Sequence, residues 1–137
     1  MAKRIGLNGK LYYGTAGSTA GTEVTNARDV TLALEKGEAD STVRGDTWES
    51  TTTTLLSGSI EFDLLWDSAD TACEAIRAAF FAGTVLAFLQ LDAASGKGID
   101  ADFEVVRWGR EEPLRDMMRV PVTIKPTNVN RAPTWQS

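Results

Sequence analysis

The residue types that carry most enzymatic chemistry are sparse in this chain. Its 137 residues include no histidine and a single cysteine, Cys73. Without histidine the commonest general base, the commonest metal ligand and the usual pH switch are all missing. Neither a Ser-His-Asp triad nor a Cys-His pair can be assembled. Cys73 stands among Ala72, Ala75 and Ile76, which reads as a small buried apolar residue and not as a nucleophile. One cysteine and no histidine make no zinc set. Asp92, Asp100 and Asp102 flank a Gly-containing stretch and raise the question of calcium. The EF-hand spacing is absent, and a hard cation needs several converging oxygens. Gly96-Lys97-Gly98 lacks the long Walker pattern and reads as a turn. Glu61 and Asp63 share a strand face, as a glycosidase acid pair shares a cleft, but nothing nearby implies a cleft or a raised pKa. A solvated strand face is the plainer reading. No catalytic residue, cofactor or metal is assigned.

The totals bound the rest. The length suits one domain spanning residues 1–137, able to bury roughly two-thirds of its unfolded surface. A lone cysteine excludes an internal disulfide framework, so packing must hold the fold. The formal net charge of −5 argues against a nucleic-acid grip, which needs clustered Lys and Arg. It is compatible with a surface past which nucleic acid slides without sticking. No long apolar run follows the N-terminal Lys3-Arg4, so neither a signal peptide nor a membrane span is expected, and synthesis in the cytoplasm is.

The elements that position these residues are mainly strands. Residues 3–13 read as short strands around Asn8-Gly9, a strong hairpin signal, and the Gly-rich residues 14–22 as a loop. Val30, Leu32 and Leu34 alternate with Asp29, Thr31, Ala33 and Glu35, which makes residues 23–36 a half-buried strand with an acidic outer face. Residues 37–54 are polar and carry Trp48; they read as a long loop whose Thr51–Thr54 end can extend as strand. Ile60, Phe62, Leu64 and Trp66 alternate with Ser59, Glu61, Asp63 and Leu65 in a second strand. Residues 67–83 read as the one helix, capped by Asp67 or Ser68 and ended by Gly83, with an apolar stripe of Ala72, Ile76, Ala79 and Phe80. Residues 84–92 form a strand buried on both faces, and residues 101–109 and 117–125 two more. Pro121 favours an edge or a bulge. Residues 126–137 read as an extended C-terminal arm. About six or seven strands with one packed helix make a mainly β fold, a sandwich or partial barrel.

Several segments, in order, carry a resemblance. They are EVTNARDVTLAL, KGEADSTVRGDTWES, SGSIEFDLLWDSAD leading into an Ala-rich helix, GTVLAFLQLD, DFEVVRWGREEPLRDMMRVPVTIKPT and a final APTW. Over roughly residues 10–135 the chain resembles the tail tube family of long-tailed phages. The resemblance implies a non-enzymatic structural subunit of the virion tail, with no cofactor. It implies six copies in a ring, each lending strands to a shared inner barrel, and rings stacked into a tube through a long loop and the terminal arms. It also implies passing DNA and a tape measure protein in the lumen, with tail terminator, tail-tip proteins and a possible sheath as partners.

Under that resemblance the 37–54 loop becomes the inter-ring contact, with Trp48 as aromatic anchor and Asp40, Arg44, Asp46 and Glu49 as charge registry. Asp29, Thr31, Glu35, Ser59, Glu61 and Asp63, facing away from the core, become lumen-lining residues. An acidic wall repels phosphates and suits a conduit, while Arg119 and Lys125 mix its charge. Two other readings stand beside this one. An adaptor or tail-completion protein would make one ring and stop, whereas a tube subunit should polymerise. A soluble ligand-binding β-sandwich would be monomeric, with an aromatic pocket around Trp48, Trp66 or Trp108.

Overall fold

The computed structural model describes residues 3–137. After a 3-10 turn at Gly6–Asn8 come β1 (Lys10–Thr15), β2 (Thr22–Glu23), β3 (Ala27–Asp40), β4 (Thr51–Leu65) and α1 (Thr71–Ala82). β5 (Leu86–Leu91), β6 (Gly98–Trp108), β7 (Arg119–Pro126) and β8 (Thr134–Gln136) follow. The strands form one antiparallel sheet in the order β2-β1-β5-β6-β7-β4-β3, with β8 beside the start of β6. The Asn8-Gly9 hairpin is not formed. Gly9 has φ −63° and ψ 148°, whereas the tight hairpin turn that Asn-Gly favours needs positive φ at both residues. β1 pairs instead with β2 and, residue for residue, with the distant β5.

Core residues come from one face of nearly every strand. Ile60, Phe62 and Leu64 of β4, Phe88 of β5, Ala101 and Phe103 of β6 and Val120, Val122 and Ile124 of β7 are buried together. Ala72, Cys73 and Ile76 of α1 join them, so the helix packs on this face through the stripe that its spacing predicts. Phe80 is only half buried. The helix begins at Thr71; Asp67 caps a preceding turn by accepting the Ala69 N–H at 2.9 Å. It ends at Gly83, whose φ of 71° is the left-handed conformation that favours glycine. β5 is buried on both faces, as its continuous apolar run predicts, with Ala87, Leu89 and Leu91 packed against Ala20 and Tyr12.

Three differences from the sequence reading matter for function. β3 and β4 are longer than the alternation indicates: Glu38–Asp40 pair with Thr51–Thr53 beyond a register shift at Gly37, and the loop shrinks to residues 41–50. Pro121 sits in β7, inside the sheet between β6 and β4. Sheet pairing tolerates it near the end of β6, where the neighbouring strand carries a bulge between Val105 and Arg107. The C-terminal segment is extended and turns back along the sheet, where Ile99 pairs with Trp135 as β8 meets β6.

Candidate assembly surfaces

The β3–β4 hairpin is the first candidate surface. β7 accompanies β4 only from Ile60 to Leu65, so the rest of the hairpin has no strand beyond its own partner. Nine residues at the β4 end, 51–59, span about 30 Å at strand rise. Close approach at the base of the arm requires Gly58, because a Cβ there would meet the Ala33 carbonyl oxygen at 2.8 Å. The five predicted contact residues, Asp40, Arg44, Asp46, Trp48 and Glu49, all lie at this tip, and all are exposed. Local hydrogen bonds order it. Asp40 Oδ1 accepts the Thr42 N–H at 2.9 Å, Asp46 Oδ2 accepts the Val43 N–H at 3.0 Å, and Thr42 Oγ1 accepts the Ser50 N–H at 2.8 Å. Hydrogen bonding from Thr42, through its side chain and then its amide, lowers the Asp40 pKa below its usual value. Trp48 is 85% exposed.

The second surface is the outer face of β3, β4, β7 and β6. Thr31 pairs with Glu61 and Glu61 with Thr123, and Arg107 also pairs with Thr123. These four therefore form one row across the face opposite the core. Asp29 joins Glu61 and Asp63 around a shallow depression that Arg107 also lines. Asp29 keeps the parity of Thr31, and the register shift between Ala27 and Val30 returns Ala27 to the core side opposite Leu64. Ser59 and Glu35 continue the face toward the hairpin. The six predicted wall residues thus share one face, and Arg107, which the sequence reading passed over, stands among their carboxylates. Cross-strand neighbours Glu104 and Lys125 mix the charge further.

Beyond these surfaces lies a buried ionic cluster. Asp100 and Asp102 sit on the β6 face opposite Phe103 and the core, covered by the 16–21 loop and the C-terminal segment. Arg131 bridges both carboxylates at 2.9 Å. Gly17 N–H donates to both Asp102 oxygens at 3.0 Å, and Thr19 Oγ1 donates to Asp100 at 3.0 Å. Burial alone disfavours the charge on Arg131, but the two carboxylates outweigh it and raise the guanidinium pKa. These aspartates, weighed above as calcium ligands, are thus occupied by a cation of the chain itself. Asp92 accepts the Lys97 N–H at 2.9 Å and closes the turn. The legible signal is Asp-x-Asp inside a strand whose other face is apolar, since buried carboxylates need a partner.

The tryptophans do not gather around one cavity. Trp66 and Trp108 pack edge to face with centroids 6.0 Å apart, while Trp48 stands alone at the hairpin tip. A cavity of about 560 Å³ is lined by residues from the N-terminal segment, β1 and the start of β3, including Arg4, Leu11, Arg28 and Val30, and by none of the tryptophans.

One curled antiparallel sheet with a helix on its concave face and a protruding hairpin defines the class: this is the fold of phage-type tail tube subunits. The solved tail of an empty gene transfer agent (GTA) particle, with C6 symmetry, superposes with a TM-score of 0.82 at 16% identity, covering 98% of this chain and 100% of that one. The SPP1 tail tube superposes at 0.79 and 9% identity, covering 98% and 80%. The baseplate of the anti-feeding prophage (AFP) gives 0.66 at 6% identity, covering 100% and 97%. No protein-family model matches the sequence, and no curated protein does.

Proposed function

We propose that this chain is a structural subunit of a viral tail tube, assembling as hexameric rings that stack into a hollow conduit. The observation that carries the reading is the tail-tube fold over 98% of the chain. Six-fold rings follow the C6 symmetry of the similar GTA tail. The free edge of β3 supports ring closure. A long unpaired edge is a template for another chain, and a closed ring of subunits removes it. The hairpin supports stacking, because ring closure uses one heterologous interface and a tube repeats a second without end. In this reading the row of Thr31, Glu61 and their neighbours lines the channel through which DNA and the tape measure protein pass. The subunit acts by assembly and has no catalytic role. It is made in the host cytoplasm and works in the virion tail.

Negative-stain electron microscopy of the purified chain at high concentration tests the reading. Long hollow tubes are expected. Single rings that never lengthen would favour the adaptor reading, and monomers under all conditions would remove the assembly role.

A further inference from the structure

Two charged side chains stand at opposite edges of the outer face, and each lacks a partner. β5 accompanies β6 only from Gly98 to Phe103, so beyond Phe103 the β6 strand is paired with β7 alone. β3, at the end of the sheet order, is paired with β4 alone. The second half of β6, β7, β4 and β3 therefore make a four-stranded face with two open edges. Arg107 lies at one edge and Asp29 at the other, and both are exposed. Among the described residues, neither takes part in an ion pair. The bulge between Val105 and Arg107 is what turns Arg107 onto this face, opposite Thr123.

Resting on the tube reading above, we infer that Arg107 of one copy pairs with Asp29 of the next, and that this ion pair sets the register between neighbours in a ring. Each strand of the face is antiparallel to the one beside it, and four is an even number. Rotation about a ring axis therefore brings β3 of one copy antiparallel to β6 of the next, and the alternation continues unbroken. Parity and charge then choose the register. A slip of one residue would turn Val30 and Leu32 out of the core face, so only even shifts are open. With no shift, Arg107 meets Thr31, and Glu104, one same-face step along β7, meets Ala33. A barrel closes only with a stagger. A two-residue stagger in one sense sets Arg107 against Asp29 and Glu104 against Thr31. In the other sense Arg107 meets Ala33 and Glu104 meets Glu35, two like charges face to face. Opposite charges across a strand pair stabilise it and like charges weaken it, so the first stagger is selected, and every seam of the ring repeats the choice.

Disulfide trapping reads the register while leaving Arg107 and Asp29 in place. Three double variants each carry Glu104→Cys, joined by Thr31→Cys, Ala33→Cys or Glu35→Cys. All four replaced residues are exposed, and the native Cys73 is buried. Directly opposed residues of an antiparallel pair have Cα atoms about 4.5–5.5 Å apart, within disulfide reach. On mild oxidation of assembled tubes, the Thr31→Cys variant should give covalent multimers ending at the ring number, six if the C6 symmetry of the similar GTA tail applies. The other two should give at least tenfold less. Adding Arg107→Glu to the Thr31→Cys variant should cut its yield at least tenfold, and adding Asp29→Arg as well should restore it. Cross-linking through Ala33→Cys or Glu35→Cys instead, or an Arg107→Glu change without effect, would overturn the ion pair and leave the tube reading intact. Tubes that cross-link in none of the three would overturn the β3–β6 seam itself. Absence of both tubes and cross-links would overturn the inference and the tube reading together.

Discussion

The ring centroids of Phe62 and Phe88 lie 6.3 Å apart, although three strand steps separate β4 from β5 in the sheet. In a flat sheet those steps amount to about 14 Å, at roughly 4.8 Å each. The sheet must therefore curl until its inner face meets itself, and these rings bridge the curl. Phe88 also packs edge to face on Phe103 at 5.8 Å and is fully buried. Phe88→Ala should cost about 3–5 kcal/mol through lost burial and an unfilled cavity. Urea unfolding should show a lower midpoint with an unchanged slope; a shift under half a kcal/mol would deny the rings that role.

A second tie acts on the other side of the sheet. Arg131 holds the C-terminal segment against Asp100 and Asp102, and Asp102 is wholly buried. Removing one member of a buried pair leaves an uncompensated charge, so Arg131→Met should destabilise the fold by about 3 kcal/mol. The same change should free β8 from β6 and make residues 127–137 sensitive to limited proteolysis. Unchanged melting and unchanged cleavage would show that the ion pair is dispensable.

Legibility of this fold followed burial. Residues 30–32, 60–64 and 86–91 were readable as strands because each has at least one face in the core, and periodicity records that face; Leu34, which the alternation puts on the same face, lies beyond the core and is 51% exposed. Glu38–Asp40 read as loop because both faces of the hairpin arm meet solvent and nothing selects alternation there, whereas the β-branched Thr51–Thr54 could be read as a strand extension. The six wall residues share a face as their parity predicts, and the five tip residues are neighbours in sequence. Arg107 and Arg131 are not legible as site residues. A bulge reverses the parity of Arg107, and Arg131 reaches Asp102 across 29 positions. No local pattern encodes either.

Cys73 offers a pH-dependent probe of the helix packing. Burial, ahead of its other influences, raises the thiol pKa above the ordinary 9.0. The folded state therefore favours the protonated form. Its contribution is fully present below pH 9 and is lost as pH rises from there through the folded-state value. Disulfide-exchange labelling at pH 8 should be at least tenfold slower in the native protein than in urea, and stability should decline above pH 9. Rapid native labelling would place the thiol at the surface.

The hairpin tip can be removed without touching the core. Asp40 pairs with Thr51, so replacing residues 41–50 by Asn-Gly closes the arm with a two-residue turn. All ten replaced residues are exposed, and the melting temperature should stay within a few degrees. Tube length should collapse to single rings or ring pairs. Normal tubes from this variant would take the stacking role away from Arg44, Asp46, Trp48 and Glu49.

Charge on the opposite face governs what the proposed channel lets pass. Glu61 is exposed and Asp63 half buried, and both lie opposite the core beside Arg107. In a ring, each copy presents the same carboxylates to the same axis, and their summed field repels a phosphate backbone. A conduit needs that repulsion, because a basic wall would hold DNA in place. The double change Glu61→Lys and Asp63→Lys reverses the local sign while leaving Ile60, Phe62 and Leu64 in the core. Assembled variant tubes should retain short duplex DNA during sedimentation at low salt and release it steeply as salt rises, the signature of counterion release. Wild-type tubes should retain none. Equal, negligible retention by both would place this face on the outside of the tube, and the channel wall would then have to come from other strands.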